Sequence, residues 1–394
     1  MEEWKEYRLG DICDTISDTY KGNSPQVILI NTSDVLEGKC LNHIPVPNKN
    51  LKGQFKKTFC NEDILYSEIR PANKRFAYID FEPKDYIAST KLMVIRSKKE
   101  VLPKYLYYIL QSNQMLDKLQ TLAETRSGTF PQITFSELAA QKIILPGLNS
   151  QKKIVQVLES INSKIELNRR INENLEQQAQ ALFKSWFIDF GPFKDGKFVD
   201  SELGMIPEGW KVVNLLNIAE LYDSFRRPLS SRDRAPMEKL YPYYGATSVM
   251  DYVDNYIFDG IYLLMGEDGS VINEKGYPYL QYVFGKFWPN NHAHVMQGKN
   301  GFTTEMLHCF LLKKNISGIV TGAVQAKISQ QSMKKILLAI PNENLCGEFA
   351  CLIVPIYANI RNIINENRIL SQLRDTLLPR LMSGELEIKN NSYD

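Results

Sequence analysis

The feature that most constrains this chain is a pair of long segments in which seam residues recur in alternating steps of four and three. Sustained 4–3 spacing is the pattern of a coiled-coil seam, which is narrower than the apolar stripe of a helix on a globular surface. The seam of the first segment comprises Ile154, Leu158, Ile161, Ile165, Asn168, Asn172, Leu175, Ala179, Leu182 and Trp186. The seam of the second comprises Phe349, Ile353, Ile356, Ile360, Ile363, Asn367, Leu370, Arg374, Leu377 and Leu381.

These seams predict two long helices that pack on each other, because a helix with such an apolar strip must bury it. A globular segment separates the two in the sequence, and that order favours an antiparallel pair. The alternative is that each seam packs against a different protein.

Three seam residues carry further expectations. Asn172 and Asn367 are equivalent at an offset of 195, and we expect them to meet, since a buried asparagine commonly fixes coiled-coil register. Pro355 predicts a kink or a late start of the second helix. Arg374 is expected to extend to water or to pair with an acid.

The sequence before each long helix is duplicated. The opening Trp4-Lys5 with Leu9 and Ile12 is matched, at an offset of 206, by Trp210-Lys211 with Leu215 and Ile218. The closing segment from Ile133 to Pro146 is matched, at an offset of 195, by the one from Ile328 to Pro341. Two related domains of mixed α and β structure are therefore predicted.

Local patterns predict strands and one further helix inside these domains. The predicted strands are Ile64–Ile69, Phe76–Ile79, Leu92–Arg96, Ile261–Met265 and Tyr282–Phe287. A helix is predicted over Val101–Leu122, in the first domain only.

Composition indicates an ordinary globular protein. The 394 residues carry a net charge of only +2, so a nucleic-acid surface has to come from local clustering of basic residues. Six scattered cysteines, no signal segment and no apolar run of about 20 residues predict a cytoplasmic protein with reduced thiols and no membrane association.

Motifs for catalysis are absent from the sequence. It contains neither a phosphate-binding loop nor a dinucleotide-binding fingerprint. His292 and His294 suit metal ligands, but they lack an acidic or thiol partner nearby in sequence, so a hydrogen-bonding role is favoured. Glu267-Asp268 is interpreted as a turn. We therefore expect no catalytic residues, no metal site and a binding function.

Basic residues cluster near aromatic residues in both domains, which is typical of nucleic-acid binding. Arginines can read guanine or bind phosphate, lysines mostly bind phosphate, and glutamines can bond a base edge. Tight turns at Gly128-Thr129 and Gly322 precede two such glutamines. The candidate DNA-binding residues are Arg70, Lys74, Arg75, Thr129, Gln132, Arg226, Arg227, Arg232, Arg234, Gln325 and Lys327. The alternative is a solvated surface of mixed charge.

Over essentially its whole length the chain resembles the specificity (S) subunits of type I restriction–modification enzymes. The resemblance rests on "ALFKSWFIDFGPF" (181–193), "LGMIPEGWKVVNL" (203–215), "LLPRLMSGELEI" (377–388) and the paired domain endings that close at Pro146 and Pro341.

That resemblance implies an α+β protein with two target recognition domains separated by a long antiparallel coiled coil. The implied divisions are a first recognition domain (1–148), a central helix (149–188), a linker (189–209), a second recognition domain (210–342), a C-terminal helix (343–384) and a tail (385–394). The domains would read a split site in double-stranded DNA, and the coiled coil would dock two methyltransferase subunits.

The resemblance also implies restriction and translocase subunits as partners. S-adenosylmethionine, ATP and Mg²⁺ would be bound by those partners, and this chain would hold no cofactor. Two other classes stay open at the level of the residues: a self-contained nuclease or methyltransferase with a degenerate motif, and a coiled-coil assembly protein that reads no sequence.

Overall fold

The computed structural model describes residues 4–51, 53–126, 129–322 and 325–388. The chain divides into two compact units, one formed by residues 1–166 with 368–394 and the other by residues 167–367. Each unit therefore combines one of the two domains with parts of both long helices.

The first unit contains two four-stranded sheets. One is antiparallel, in the order Cys13–Ile16, Leu92–Ser97, Ile64–Ser67 and Phe76–Tyr78; the other is mixed, in the order Val46–Pro47, Gln26–Ile30, Tyr86–Ser89 and Phe55–Lys57. Shorter pairs join Lys5–Arg8 to Lys142–Leu145 and Val35–Leu36 to Lys39–Cys40. Its helices are Leu9–Ile12, Pro103–Gln111, Asn113–Arg126 and Phe135–Ala139, with 3₁₀ turns at Thr32–Asp34 and Pro71–Asn73.

The second unit is built on one six-stranded sheet. Its order is Ala219–Leu221, Ala293–Gly298, Phe258–Gly266, Leu280–Pro289, Tyr241–Tyr244 and Val249–Val253. Two-stranded pairs join Lys211–Asn214 to Leu337–Ile340 and Phe198–Val199 to Ile206–Pro207. Its short helices are Leu215–Ile218, Ser231–Arg234, Thr304–Leu312 and Gln330–Met333, with 3₁₀ turns at Gly191–Phe193, Asp223–Phe225 and Ser317–Ile319.

The predicted duplication is confirmed in the strand pairing. Lys5 pairs with Leu145 in the first unit, and Lys211 pairs with Ile340 in the second, at the offsets of 206 and 195 that the sequence shows. Both pairs are antiparallel, and each joins the beginning of a domain to its end.

The two long helices are Leu148–Phe183, which continues as a π-helical turn over Lys184–Ile188, and Glu343–Met382. In the first unit, Asn162 accepts a hydrogen bond from Arg374, and Leu158 shares a core with Leu381. In the second unit, Asn168 bonds Asn367. Within each unit the earlier residues of one helix thus meet the later residues of the other, which is the predicted antiparallel pairing.

The seam side chains are buried or half-buried along both helices. The named positions Ile154, Leu158, Ile161, Ile165, Asn172, Leu175, Ile353, Ile356, Ile360, Ile363, Asn367 and Leu370 all lie on this inner side. Arg374, a charged seam residue, bonds Asp375 at 2.9 Å as well as Asn162. Its guanidinium therefore finds an acidic partner on its own helix.

The predicted meeting of Asn172 with Asn367 is shifted by one turn. Asn367 Oδ1 accepts from Asn168 Nδ2 at 2.9 Å, and Asn168 also bonds Glu366 at 2.7 Å. The Oδ1 atom of Asn172 is buried without a hydrogen-bond partner among the described residues.

Several further expectations need correction. The helix predicted over 101–122 is two helices, and the second domain has its counterpart in Thr304–Leu312. The expected late start at Pro355 is wrong, because the second long helix begins at Glu343. Gly128 lies outside the described residues. Among the described helices, each is too short or too polar to cross a membrane.

We predict that Asn172→Leu stabilises the protein. A buried polar atom without a partner is costly, and an apolar side chain in the seam should raise the free energy of unfolding by about 1 kcal/mol. Asn168→Leu is the matched control, because it removes two hydrogen bonds and should destabilise. Unfolding in denaturant measures the free energy of unfolding of both variants. Equal losses of stability in the two variants would contradict the prediction that the buried Oδ1 atom of Asn172 is destabilising.

Candidate nucleic-acid interface

In each domain, two distant segments meet beside the sheet through the same backbone hydrogen bond. Ile133 N–H donates to Glu68 C=O at 2.8 Å, and Ile328 N–H donates to Glu267 C=O at 2.8 Å. The next residues form an isolated antiparallel β-bridge in each domain. Ile69 pairs with Gln132 in the first domain, and Asp268 pairs with Lys327 in the second. We call residues 68–70 with 131–133 the first crossing, and residues 267–269 with 326–328 the second crossing.

The first crossing gathers three of the predicted DNA-binding residues. Arg70 has a left-handed backbone (φ 44°), and its Nη2 donates to the carbonyl of Thr129 at 3.4 Å. Gln132 lies opposite Ile69 and accepts from Lys91 Nζ at 3.3 Å. Non-glycine residues in this strained backbone region cluster at binding sites. Arg70 and Thr129 are therefore exposed and in contact, and Gln132 is half-buried at the same crossing.

Lys74 and Arg75 are placed differently. Lys74 also has a left-handed backbone, and its half-exposed ammonium lies 3.8 Å from Glu37. The Nη1 of Arg75 donates to the carbonyls of Ser33 and Val35 at 3.1 and 3.5 Å. Lys74 is thus accessible, whereas Arg75 holds a neighbouring loop.

Lys91 is a basic residue beside the first crossing that was not predicted from the sequence. It lies in the short turn between two strands, and its Nζ is 3.7 Å from Glu68 Oε2. A single lysine between apolar strands gives no sequence signal, and the contact that places it becomes visible only when the strands pair.

The second crossing is built over a buried network of charges. Arg226 Nη1 donates to Glu267 Oε2 at 2.6 Å and to the carbonyl of Ala293 at 2.7 Å, while its Nη2 lies 3.6 Å from Asp223. The Arg226 side chain is only 12% exposed. The guanidinium of Arg226 therefore lies inside the domain, whereas a DNA contact on the surface was predicted. Its hydrogen bonds to Glu267 and Ala293 hold the second crossing in place.

The four predicted arginines of the second domain separate into two pairs. Arg234, like Arg226, is engaged: it bonds Asp251 at 2.9 Å and lies over the ring of Tyr243 at 4.7 Å. The side chains of Arg227 and Arg232 are exposed, and they donate no hydrogen bond to the described residues and form no ion pair with them. Arg227 and Arg232 are therefore the arginines available to a ligand.

Lys327 and Gln325 complete the exposed side of the second crossing. Lys327 Nζ lies 3.5 Å from Glu267 Oε1 and is about half exposed. The backbone of Lys327 exchanges two hydrogen bonds with Thr321 at 2.9 and 2.7 Å. Between them, Gly322 has a φ of +95°, and a Cβ there would meet the Gln325 carbonyl at 2.0 Å. The tight turn predicted at Gly322 thus requires glycine.

Asp223, Glu267 and His294 form the one described group whose geometry would suit a metal ion, with ligand atoms within 4.8 Å of one another. Arg226 already supplies a cation to both carboxylates. Asp223 also accepts from Val295 N at 2.9 Å and Gln330 Nε2 at 2.7 Å. The donor set is satisfied by protein groups, so it fits an ion-pair network better than a metal site.

Both histidines have acidic partners from distant segments. His294 Nδ1 lies 2.6 Å from Asp223 Oδ2, its Nε2 lies 2.7 Å from the carbonyl of Ile328, and His292 bonds Asp268. Burial lowers the pKa of His294, but the hydrogen bond and charge of Asp223 more than offset this, so the pKa is raised. Burial likewise raises the pKa of Asp223, but the hydrogen bond and charge of His294 outweigh the burial, so the pKa of Asp223 is lowered.

Comparison with known proteins places these domains in a family. The family described as "Type I restriction modification DNA specificity domain" matches residues 1–177 and again 207–345. Each match covers one of the two duplicated domains. The chain therefore belongs to the type I restriction–modification DNA specificity family, which confirms the resemblance drawn from the sequence motifs.

Individual relatives agree with this assignment. The specificity subunit of the type I restriction enzyme HindI from Haemophilus influenzae is 48% identical over 197 residues, covering 49% of this chain and 43% of that protein. This chain thus spans less than half of that relative's length in the alignment. The MjaIX specificity subunit from Methanocaldococcus jannaschii is 29% identical over 341 residues, covering 78% and 76%.

Solved structures include proteins of the same fold. The S subunit of a type I restriction–modification system from M. genitalium superposes with a TM-score of 0.54 at 15% identity, covering 98% of this chain and 97% of that one.

We predict that Arg226→Ala destabilises the second unit. Removing a buried guanidinium leaves Glu267 and Asp223 without their main cation, which should cost about 3 kcal/mol. Arg227→Ala is the neighbouring control and should change the free energy of unfolding by less than about 0.5 kcal/mol. Chemical denaturation measures the free energy of unfolding of both variants. If Arg226→Ala were as stable as the unmodified protein, the structural role of Arg226 would be contradicted.

We also predict a pH-dependent contribution from the His294–Asp223 pair. The folded-state pKa of His294 is raised. Its contribution to the free energy of unfolding is therefore full below the unfolded-state pKa of about 6.5, and it is lost as pH rises through the folded-state pKa. Because the pKa of Asp223 is lowered, its contribution is lost only as pH falls through that lowered value.

The measurement is the difference in unfolding free energy between the protein and His294→Gln across pH. It should be largest in mildly acidic solution and shrink toward alkaline pH. A constant difference would contradict the prediction.

Proposed function

We propose that this chain is the DNA-reading subunit of a type I restriction–modification enzyme, and that each domain reads one part of a bipartite, asymmetric site in double-stranded DNA. The observation that carries the proposal is the pair of crossings. The same backbone hydrogen bond holds both crossings: it joins Ile133 to Glu68 in the first and Ile328 to Glu267 in the second. The two crossings present different side chains. Two related frames with different exposed residues suit two different half-sites.

Residues at and near the crossings supply the chemistry of base and phosphate recognition. Arg70 and Gln132 at the first crossing, and Arg227 and Gln325 near the second, carry groups that can bond base edges in the major groove. The lysines, of which Lys74, Lys91 and Lys327 are accessible, suit phosphate contacts. Arg75, Arg226 and Arg234 support the loops that carry them.

The long helices suit a docking role for two methyltransferase subunits. Large apolar side chains are exposed on them, within the second unit at Leu167, Ile171, Leu352 and Ile364. Apolar residues outside the seam favour a protein partner over solvent. Those subunits would bind S-adenosylmethionine, and restriction and translocase subunits would bring ATP and Mg²⁺. This chain would bind no cofactor and would act in the cytoplasm.

The test is half-site recognition by the complex of this chain with its methyltransferase subunits. Sequencing methylated bases in cells with and without the gene first defines the site. We then expect Arg227→Ala to weaken discrimination in one half-site by about 1–3 kcal/mol, and Arg70→Ala to do so in the other.

Lys142→Ala is the control, because Lys142 pairs with Glu6 on the terminal strands of the first unit and belongs to neither crossing. It should leave both half-sites unchanged. If Arg70→Ala and Arg227→Ala weakened the same half-site, the division between two domains would be wrong. An equal loss on all DNA sequences would instead identify phosphate contacts.

A further inference from the structure

Two phenylalanines differ from all the others in their exposure to solvent. The sequence has 18 phenylalanines, and every one of them lies within the described residues. Only Phe130 and Phe225 are exposed, by 50% and 59%, whereas the others are buried or half-buried. A single exposed apolar side chain is ordinary on a protein surface. Here, however, one exposed phenyl ring lies beside each of the two crossings.

Phe130 immediately precedes the first crossing. It lies between Thr129 and Pro131, and Arg70 binds the chain on both sides of it. The backbone N–H of Arg70 donates to the Pro131 carbonyl at 3.1 Å, and its Nη2 donates to the Thr129 carbonyl at 3.4 Å. The backbone that carries the exposed ring is therefore fixed next to Arg70.

Phe225 is the last residue of the 3₁₀ turn Asp223–Phe225 and is followed by Arg226, which bonds the second crossing. Arg226 Nε donates to the Asp223 carbonyl at 3.0 Å, which fixes the turn. The Phe225 ring centroid lies 6.2 Å from that of Tyr222 and 6.4 Å from that of Phe258. The ring is thus supported by aromatic neighbours and exposed elsewhere.

Each exposed ring accompanies an arginine that we propose to read a base. Arg70 binds the backbone around Phe130, and Arg227 follows Phe225 by two residues, with its carbonyl accepting from Trp288 Nε1 at 2.6 Å. The apolar group that base pairs present in the major groove is the C5-methyl of thymine. A phenyl ring beside an arginine that reads base edges there has this methyl group as its apolar partner.

A different role for an exposed ring is insertion between base pairs, which apolar side chains perform mainly from the minor groove. For Phe225, insertion would require the ring to leave its contacts with Tyr222 and Phe258. The arginines and glutamines beside the two rings suit base edges in the major groove. Contact with a base edge therefore agrees better with the supported ring than insertion does.

We propose that Phe130 and Phe225 each contact the C5-methyl group of a thymine, one in each half of the DNA site. The proposal rests on the proposed function and names one base in each half-site. The two rings are not duplicated counterparts, because at the offsets of the domain beginnings and ends Phe225 corresponds to Thr19, and Phe130 to Gln325. Each domain therefore reads its thymine from a different segment.

Replacement of thymine by deoxyuridine tests the contact, because it removes the methyl group and keeps the base pair. Once methylome sequencing has defined the site, each thymine on either strand is replaced in turn. Binding of each duplex to the complex of this chain with its methyltransferase subunits is measured at constant salt. We expect one position in each half-site to lose affinity by about three- to fivefold, the effect of one buried methyl-sized group.

Variants assign each methyl group to its ring. Phe225→Ala should abolish the deoxyuridine effect in one half-site only, and Phe130→Ala should abolish it in the other half-site only. Phe225→Leu keeps an apolar contact and should retain the effect. Ile144→Ala is the matched control, because Ile144 is 53% exposed on a terminal strand and belongs to neither crossing. It should leave both deoxyuridine effects unchanged.

Three outcomes would overturn the proposal. The first is a half-site in which no thymine is sensitive to deoxyuridine. The second is a deoxyuridine effect that persists in both alanine variants, which would assign the methyl contact to another group. The third is an equal loss of affinity on all DNA sequences in the alanine variants, which would indicate insertion or a non-specific contact. The deoxyuridine scan of the unmodified complex needs no variant, so it remains a test even if a variant folds poorly.

This experiment separates failure of the methyl contact from failure of the proposed function. If Arg70→Ala and Arg227→Ala weaken separate half-sites while deoxyuridine has no effect, the two-domain reading stands and the methyl contact is wrong. If neither arginine variant nor deoxyuridine changes half-site discrimination, the proposed function itself fails. Both alanine variants of the phenylalanines should melt within about 3 °C of the unmodified chain, because the rings are exposed.

Discussion

Burial of the 4–3 seam is the constraint on which the rest of the structure depends. Each long helix carries an apolar strip that has to be removed from water, and the chain places the two strips on segments far apart in sequence. As a result, neither unit is built from one half of the chain alone. The core of the first unit includes Leu381, and the core of the second includes Ala179 and Phe183. Each domain is thereby completed by a helix from the other half.

The duplicated frame shows how one backbone serves two different surfaces. The hydrogen bond from Ile133 to Glu68 and that from Ile328 to Glu267 have the same length and the same place in the fold. Around the first, an exposed lysine approaches the glutamate; around the second, a buried arginine does. The backbone bond fixes where the loops lie, while the side chains around the glutamate determine how rigidly they are held and what they present.

Features with a regular spacing were predictable from the sequence, and features that depend on contacts between distant segments were not. The seam and the paired domain ends follow from periodicity and offset alone. Arg226 and Arg227 are adjacent and chemically identical, yet Arg226 is buried because Asp223, Glu267 and Ala293 converge on it from separate elements. Likewise, Thr304–Leu312 escaped prediction because seven of its nine residues are buried, which removes the amphipathic period that marks a surface helix.

Charge balance connects this architecture with the proposed reading of DNA. The net charge is only +2, and a carboxylate lies beside a basic residue at each crossing, Glu68 beside Lys91 and Glu267 beside Lys327. Non-specific attraction to DNA grows with the number of phosphates that a protein neutralises. If the crossings bind DNA as we propose, the acids beside these basic residues would reduce that attraction. Binding would then depend more strongly on correct base contacts, and a reader of a split site would gain selectivity, because neither half-site alone would hold the protein on DNA.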